Sequence, residues 1–150
     1  MANRIYRGPV DRQPHTVSDK PVAGAYMPGT FVLETATNLT QATTAVGMLR
    51  ILADRDFYGN PIGVATAPNM TAYASGDTGV AYIIEPAQEY QAAVAAATYA
   101  FGQELTVAAG GRLAAAATGN PVVAFCKQAD TAAAGALIDV EIADRYTKAA

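Results

Sequence analysis

Between residues 104 and 117 the apolar positions alternate: Leu105, Val107 and Ala109 fall on one side of an extended chain, and Glu104, Thr106 and Ala108 fall on the other. Leu113, Ala115 and Ala117 then share a face again. A period of two marks a half-buried strand. Gly110-Gly111 stands where a tight hairpin turn would, because glycine reaches positive φ without steric cost. Ala136, Ile138, Val140 and Ile142 repeat the alternation against Asp139 and Glu141, which predicts a strand with one wet face. From Thr30 onward, "TFVLET", "VGMLRILAD", "IGVAT", "MTAYA" and "VAYIIE" are short apolar runs between turn clusters such as "GNPIG", at the spacing of an all-β domain. The threonine-rich stretch from Ala36 to Thr44 reads as a loop. One segment runs the other way. "PAQEYQAAVAAATYAFG", with Pro86 near a first-turn position and Gly102 soon after its end, has the propensity of a helix over 87–100; Tyr90, Ala92, Val94, Ala96 and Thr98 offer a weaker strand face.

The first 28 residues differ from the rest. They hold Pro9, Pro14, Pro21 and Pro28, half of the eight prolines in the chain, and proline at that spacing excludes a helix interior or a central strand. Ile5, Tyr6, Val10, Val17, Val22, Tyr26 and Met27 are nonetheless too apolar for a plain linker. They read as anchors of an extended arm that orders against the domain or against a partner. The expected organisation is therefore an N-terminal arm over 1–28 and a β domain over 29–150. At 150 residues the chain is long enough for one hydrophobic core without disulfides.

Charge and candidate chemistry narrow the function classes. A net charge of −3 argues against nucleic acid as a partner, although Arg4, Arg7, Arg12 and Lys20 outnumber Asp11 and Asp19 in the first twenty residues. No apolar run approaches the roughly 20 residues of a membrane-spanning helix, and the N-terminus lacks the hydrophobic segment of a signal peptide, so synthesis in a reducing cytoplasm is expected. The lone Cys126, inside "VVAFCK", is expected in the core or at its boundary. The single His15 lies in the proline-rich segment, a poor place for a catalytic base. No metal-ligand spacing and no phosphate-binding glycine loop is found, and no cofactor is expected; Asp54, Arg55 and Asp56 read as a solvated corner. Asp77-Thr78-Gly79 matches the triplet of aspartic proteases. It follows the polar "YASG" rather than an apolar strand, which favours a turn leading into "VAYIIE".

Several of these segments together resemble the head decoration, or cement, proteins of tailed bacteriophages. The resemblance covers about residues 28 to 142 and rests on "PGTFV", on Gly102, Leu105, Thr106, Gly110, Gly111 and Leu113 in the form G-x-x-L-T-x-x-x-G-G-x-L, on Gly119, on Val122 to Ala124, and on "GALIDVEI" from Gly135 to Ile142. It implies a mainly β protein, a small β-barrel or sandwich-like domain with an extended N-terminal arm, and strands rather than a helix from Tyr90 to Thr98. It also implies a non-enzymatic structural role on the outer surface of a capsid, bridging neighbouring major capsid protein subunits, with self-association as a trimer or, as runner-up, a dimer. Arg4, Ile5, Tyr6, Arg7, Val10, Arg12 and Tyr26 are then the capsid-binding candidates of the arm. Neither a membrane nor nucleic acid is an expected partner. A carbohydrate- or receptor-binding β module is the alternative, since eight tyrosines could supply a stacking platform, although the chain has no tryptophan; an aspartic protease through Asp77-Thr78-Gly79 is the distant third.

Overall fold

The computed structural model describes residues 4–55 and 68–150. Two antiparallel sheets pack face to face as a sandwich-like, mainly β domain, and they do not close into a barrel. The first sheet contains β1 (Tyr6–Gly8), β7 (Glu89–Ala93), β13 (Leu137–Thr147), β11 (Pro121–Cys126), β9 (Glu104–Ala108) and β10 (Arg112–Ala115), in that order. The second contains β2 (Thr16–Pro21), β6 (Thr78–Ile83), β5 (Leu49–Leu52), β3 (Phe31–Glu34) and β4 (Leu39–Gln41). A separate two-stranded ribbon pairs β8 (Ala97–Tyr99) with β12 (Asp130–Ala132).

The alternating runs enter the core in part, since Ala109, Ala115 and Ala117 of the expected faces are exposed. Leu105, Val107, Leu113, Ile138, Val140 and Ile142 point into the main core, where they meet Phe31, Leu49, Ile51 and Tyr82 from the facing sheet. The second sheet is buried on its other face too: Val22, Val32, Leu39, Leu52 and Ala81 form a smaller core roofed by Tyr73 and flanked by Tyr26. Burial on both faces explains why Leu49, Ile51, Leu52 and Ala53 are all buried instead of alternating.

Each sheet carries one isolated bridge that reaches an outer strand. Val94, just past β7, forms an isolated parallel bridge with Leu113 of β10, and Val22, just past β2, forms one with Leu39 of β4. Each bridge occupies backbone groups that an edge strand would otherwise offer to another chain.

Residues 87–100 contain the strands β7 and β8, as the resemblance implied, and not the helix of bare propensity: Tyr90, Ala92 and Val94 are buried on one face, and their burial outweighs the helix propensity of the alanines. Three expectations are corrected. "MTAYA" is not a strand: Tyr73 is drawn into the smaller core, and its hydroxyl donates to the carbonyls of Ala53 and Asp54. The Ala36–Thr44 loop contains β4, because Leu39 has a core to enter. Asp54 is buried rather than solvated. "IGVAT", "GNPIG", Asp56 and Tyr58 lie outside the described residues.

Candidate docking surface

The residues singled out near the N-terminus are drawn into the two sheets. β1 pairs with β7, Tyr6 opposite Tyr90, and β2 pairs with β6, Thr16 opposite Tyr82 and Lys20 opposite Gly79. The prolines stand where strands permit them, Pro9 in the β1–β2 turn and Pro21 at the end of the edge strand β2. Of the apolar anchors, Ile5, Tyr6, Val17, Val22 and Tyr26 order against the chain's own domain, while Val10 and Met27 stay exposed.

Ile5 is completely buried, its carbonyl accepting the Gln91 N–H at 2.6 Å. Burial holds the Asp54 carboxyl above the usual carboxylate range, against the opposing pull of the nearby Ile5 N–H and of the Arg4 charge. Tyr6 is half-buried in a three-ring cluster that ties the sheets together, with centroids 5.3 Å from Tyr90 and 6.1 Å from Tyr82. Beneath it Gln88 is buried, and its Oε1 accepts the Tyr90 hydroxyl at 2.8 Å and the Glu85 N–H at 2.9 Å. Burial raises the Tyr82 and Tyr90 hydroxyls far above the ordinary tyrosine value. Tyr26 is half-buried against the smaller core. Arg7 lies on the outer face with Nε 3.3 Å from Asp139 Oδ1, an exposed pair contributing at most about 1 kcal/mol.

The remaining two candidates sit at the tip of the β1–β2 turn. The Tyr6 hydroxyl shares its proton between the carbonyls of Pro9 and Arg12. The Arg12 N–H donates to the Pro9 carbonyl at 3.1 Å, and the Gln13 amide donates to the Val10 carbonyl at 3.1 Å. So fastened, the turn holds Val10 out at 83 % exposure beside the exposed Arg12. An isoleucine and a tyrosine thus serve as the root, and a valine and an arginine as the presented surface.

A second ordered projection was not legible in the sequence. In the loop between β4 and β5, Ala42 and Ala45 are buried as pins while Val46 and Met48 are 70 % and 54 % exposed. The Arg145 guanidinium reaches over this loop, its Nη1 3.5 Å from the Ala45 carbonyl and 3.4 Å from the Gly47 carbonyl. Two large apolar residues within a Thr/Gly-rich loop were the only signal.

The other motifs have settled places. Cys126 is buried, its thiol donating to the Gln128 carbonyl at 2.8 Å. Asp77 closes a turn: its Oδ2 accepts the Ala74 N–H at 2.9 Å and lies 3.5 Å from Arg55, and Thr78 begins β6. Among the described residues no three His, Cys, Asp or Glu side chains gather as metal ligands, and no helix is long and apolar enough to cross a membrane. Tyr73, Tyr82, Tyr90 and Tyr99 are buried. Tyr146, beside Phe125 at 6.3 Å, is the aromatic pair left on the outer face of the first sheet. No family model matches the chain, and no curated protein matches its sequence.

Proposed function

We propose that this chain is a capsid decoration protein, bound to the outer surface of a phage head, where it bridges major capsid protein subunits and self-associates as a trimer, with a dimer as the runner-up. The observation that carries the reading, beside the sequence resemblance, is the β1–β2 turn. Its backbone is already fastened by Tyr6 and Gln13, and it presents one large apolar side chain with a cation beside it. Presenting an ordered segment avoids much of the entropy lost when a free arm docks. The glycine motif behind the resemblance has a structural reason as well: a Cβ on Gly111 would stand 2.4 Å from the Phe31 carbonyl oxygen, so a glycine there lets the β9–β10 connection lie against the second sheet.

The test is co-sedimentation with coat shells of the parent phage that lack this chain. The wild-type protein is expected to bind and to raise the temperature at which filled heads rupture. Val10→Asp combined with Arg12→Glu is expected to weaken binding without moving the melting temperature, because both side chains are exposed. A wild-type protein that leaves the shells bare overturns the reading, and unchanged binding of the double variant removes the turn from it. Light scattering addresses self-association: a monomer at high concentration that also decorates the shell as a monomer excludes trimer and dimer alike.

A further inference from the structure

The Arg145 projection lies at the same end of the molecule as the β1–β2 turn. Gly8 stands opposite Glu89, and Glu89 opposite Glu141, with β1 and β13 running the same way. The turn after Gly8 and Arg145, four residues past Glu141, therefore lie toward the same end of the first sheet, on strands separated by two strand spacings, about 10 Å laterally.

A bulge aims Arg145. Val122 pairs with Tyr146 and Ala124 with Ile142, so Ala143, Asp144 and Arg145 all stand opposite Val123 alone. Extra residues of this kind bend a strand and redirect its side chains, and they recur beside functional sites. Here Ala143 turns inward into a small cluster with Ala116 and Val122, while Arg145 turns toward the β4–β5 loop. The guanidinium finds two carbonyls at long range but no carboxylate among the described residues, as is also the case for Arg4, Arg12 and Arg112, whereas Arg7, Lys20, Arg50, Arg55, Lys127 and Lys148 all have acidic partners. Arg145 is solvent-exposed, and partial burial of the guanidinium together with the nearby Arg50 charge pulls its proton affinity down. Val46, exposed between the two carbonyls that the guanidinium approaches, and Met48 beside it complete a patch with one unpaired positive charge and two apolar side chains on a pinned backbone.

We infer that Val46, Met48 and Arg145 form a second docking point, at which an extended segment of the coat subunit places a carboxylate on the Arg145 guanidinium and an aliphatic side chain against Val46 and Met48. Charge complementarity selects the occupant, because a body with net charge −3 leaves this guanidinium unpaired where two large apolar side chains are exposed. Arginine serves better than lysine in such a place, since its planar fork meets a carboxylate through two parallel hydrogen bonds. The inference rests on the decoration reading, and the two can fail separately.

The experiment measures affinity for the same bare coat shells at low and at moderate salt. Arg145→Glu is expected to bind at least about tenfold more weakly than wild type and to lose part of the salt dependence, as truncation of an arginine anchor at an interface does. Arg145→Lys should retain part of the affinity at low salt. Val46→Ser combined with Met48→Ser, which alters exposed side chains only, should weaken binding about tenfold at an unchanged melting temperature; it decides the matter if Arg145→Glu proves unstable. Wild-type affinity in the serine double variant, while the Val10→Asp/Arg12→Glu protein is impaired, overturns this inference and leaves the decoration reading standing. A wild-type protein that does not bind the shells overturns both.

Discussion

Ile5→Ala is the sharpest test of whether the N-terminal segment belongs to the domain. Ile5 is 0 % exposed, and its Cδ1 would lie 3.3 Å from a Cβ placed on Gly29, so the site is close-packed. The substitution removes three carbons, a transfer loss of about 2.4 kcal/mol at roughly 0.8 kcal/mol each. The cavity left between two sheets that cannot collapse adds to this, for a total of about 3–4 kcal/mol. In a chain of this size that lowers the melting temperature by roughly 6–16 °C. Val10→Ala, four-fifths exposed on the same segment, should stay within about 0.5 kcal/mol of wild type. Urea unfolding followed by circular dichroism and tyrosine fluorescence measures both, with no tryptophan to mask the tyrosines. If Ile5→Ala unfolds at the wild-type midpoint with the wild-type slope, the segment is a free arm and its pairing with β7 is not a feature of the isolated chain. Deleting residues 2–20 takes the same reasoning further: it removes both strands, bares the edges of β6 and β7 and strips Lys20 from Glu34. No folded domain is expected from that deletion.

Three further outcomes are expected. Glu34, held by Lys20 at 2.9 Å and Arg50 at 2.8 Å, has its carboxyl kept below the usual range, first by the Lys20 hydrogen bond; its contribution is complete above the unfolded-state pKa and is lost as pH falls through the lower folded value. Glu34→Gln should therefore flatten the acid limb of the stability–pH curve and cost about 2 kcal/mol at neutral pH, and an acid limb identical to wild type refutes the pairing. Gly111→Ala, at φ +64° with a backbone oxygen 2.4 Å from the new Cβ, should cost more than about 2 kcal/mol, whereas Gly119→Ala, at φ +85° in open space, should cost only about 1 kcal/mol; equal losses in thermal denaturation would dismiss the contact with Phe31. Because burial favours the neutral hydroxyls of Tyr82 and Tyr90, the unfolded state gives up its protons first as pH rises past the ordinary tyrosine value. Stability should fall there, and part of the phenolate absorbance should appear only on unfolding; smooth titration of all the tyrosines in the folded protein would contradict the burial.

The strands legible in the sequence were those whose burial is one-sided. β9 and β13 put alternate residues into one core, and a period of two reports that directly, whereas β10 buries Leu113 and leaves Ala115 exposed. β5 showed less, because both faces of its sheet are covered and Leu52 is as buried as Ile51. Over 87–100 local propensity pointed to a helix and only the resemblance pointed to strands: Ala92 and Ala93 are buried on opposite faces of β7, and no local property of alanine announces that a sheet will claim it. At the candidate surface, Val10 and Arg12 were recognised as residue types, yet their division of labour from Ile5 and Tyr6 depends on a strand of only three residues, too short for periodicity to register. Arg145 was beyond reach altogether, since its direction follows from a register shift against β11 that no local pattern encodes.

The pairing of β1 with β7 also sets a timetable. As the chain leaves the ribosome, Tyr6 is made well before Tyr90 and has no strand to join until then, and β7 in turn needs β13, made later still. Nearly every stabilising pair of the first sheet is distant along the chain, the arrangement that slows folding because loop closure must precede any gain in contact energy. The nascent β1 segment, carrying Ile5 and Tyr6 of the three-ring cluster, therefore waits exposed while β7 and β13 are made, and β13 is the strand that completes its shelter.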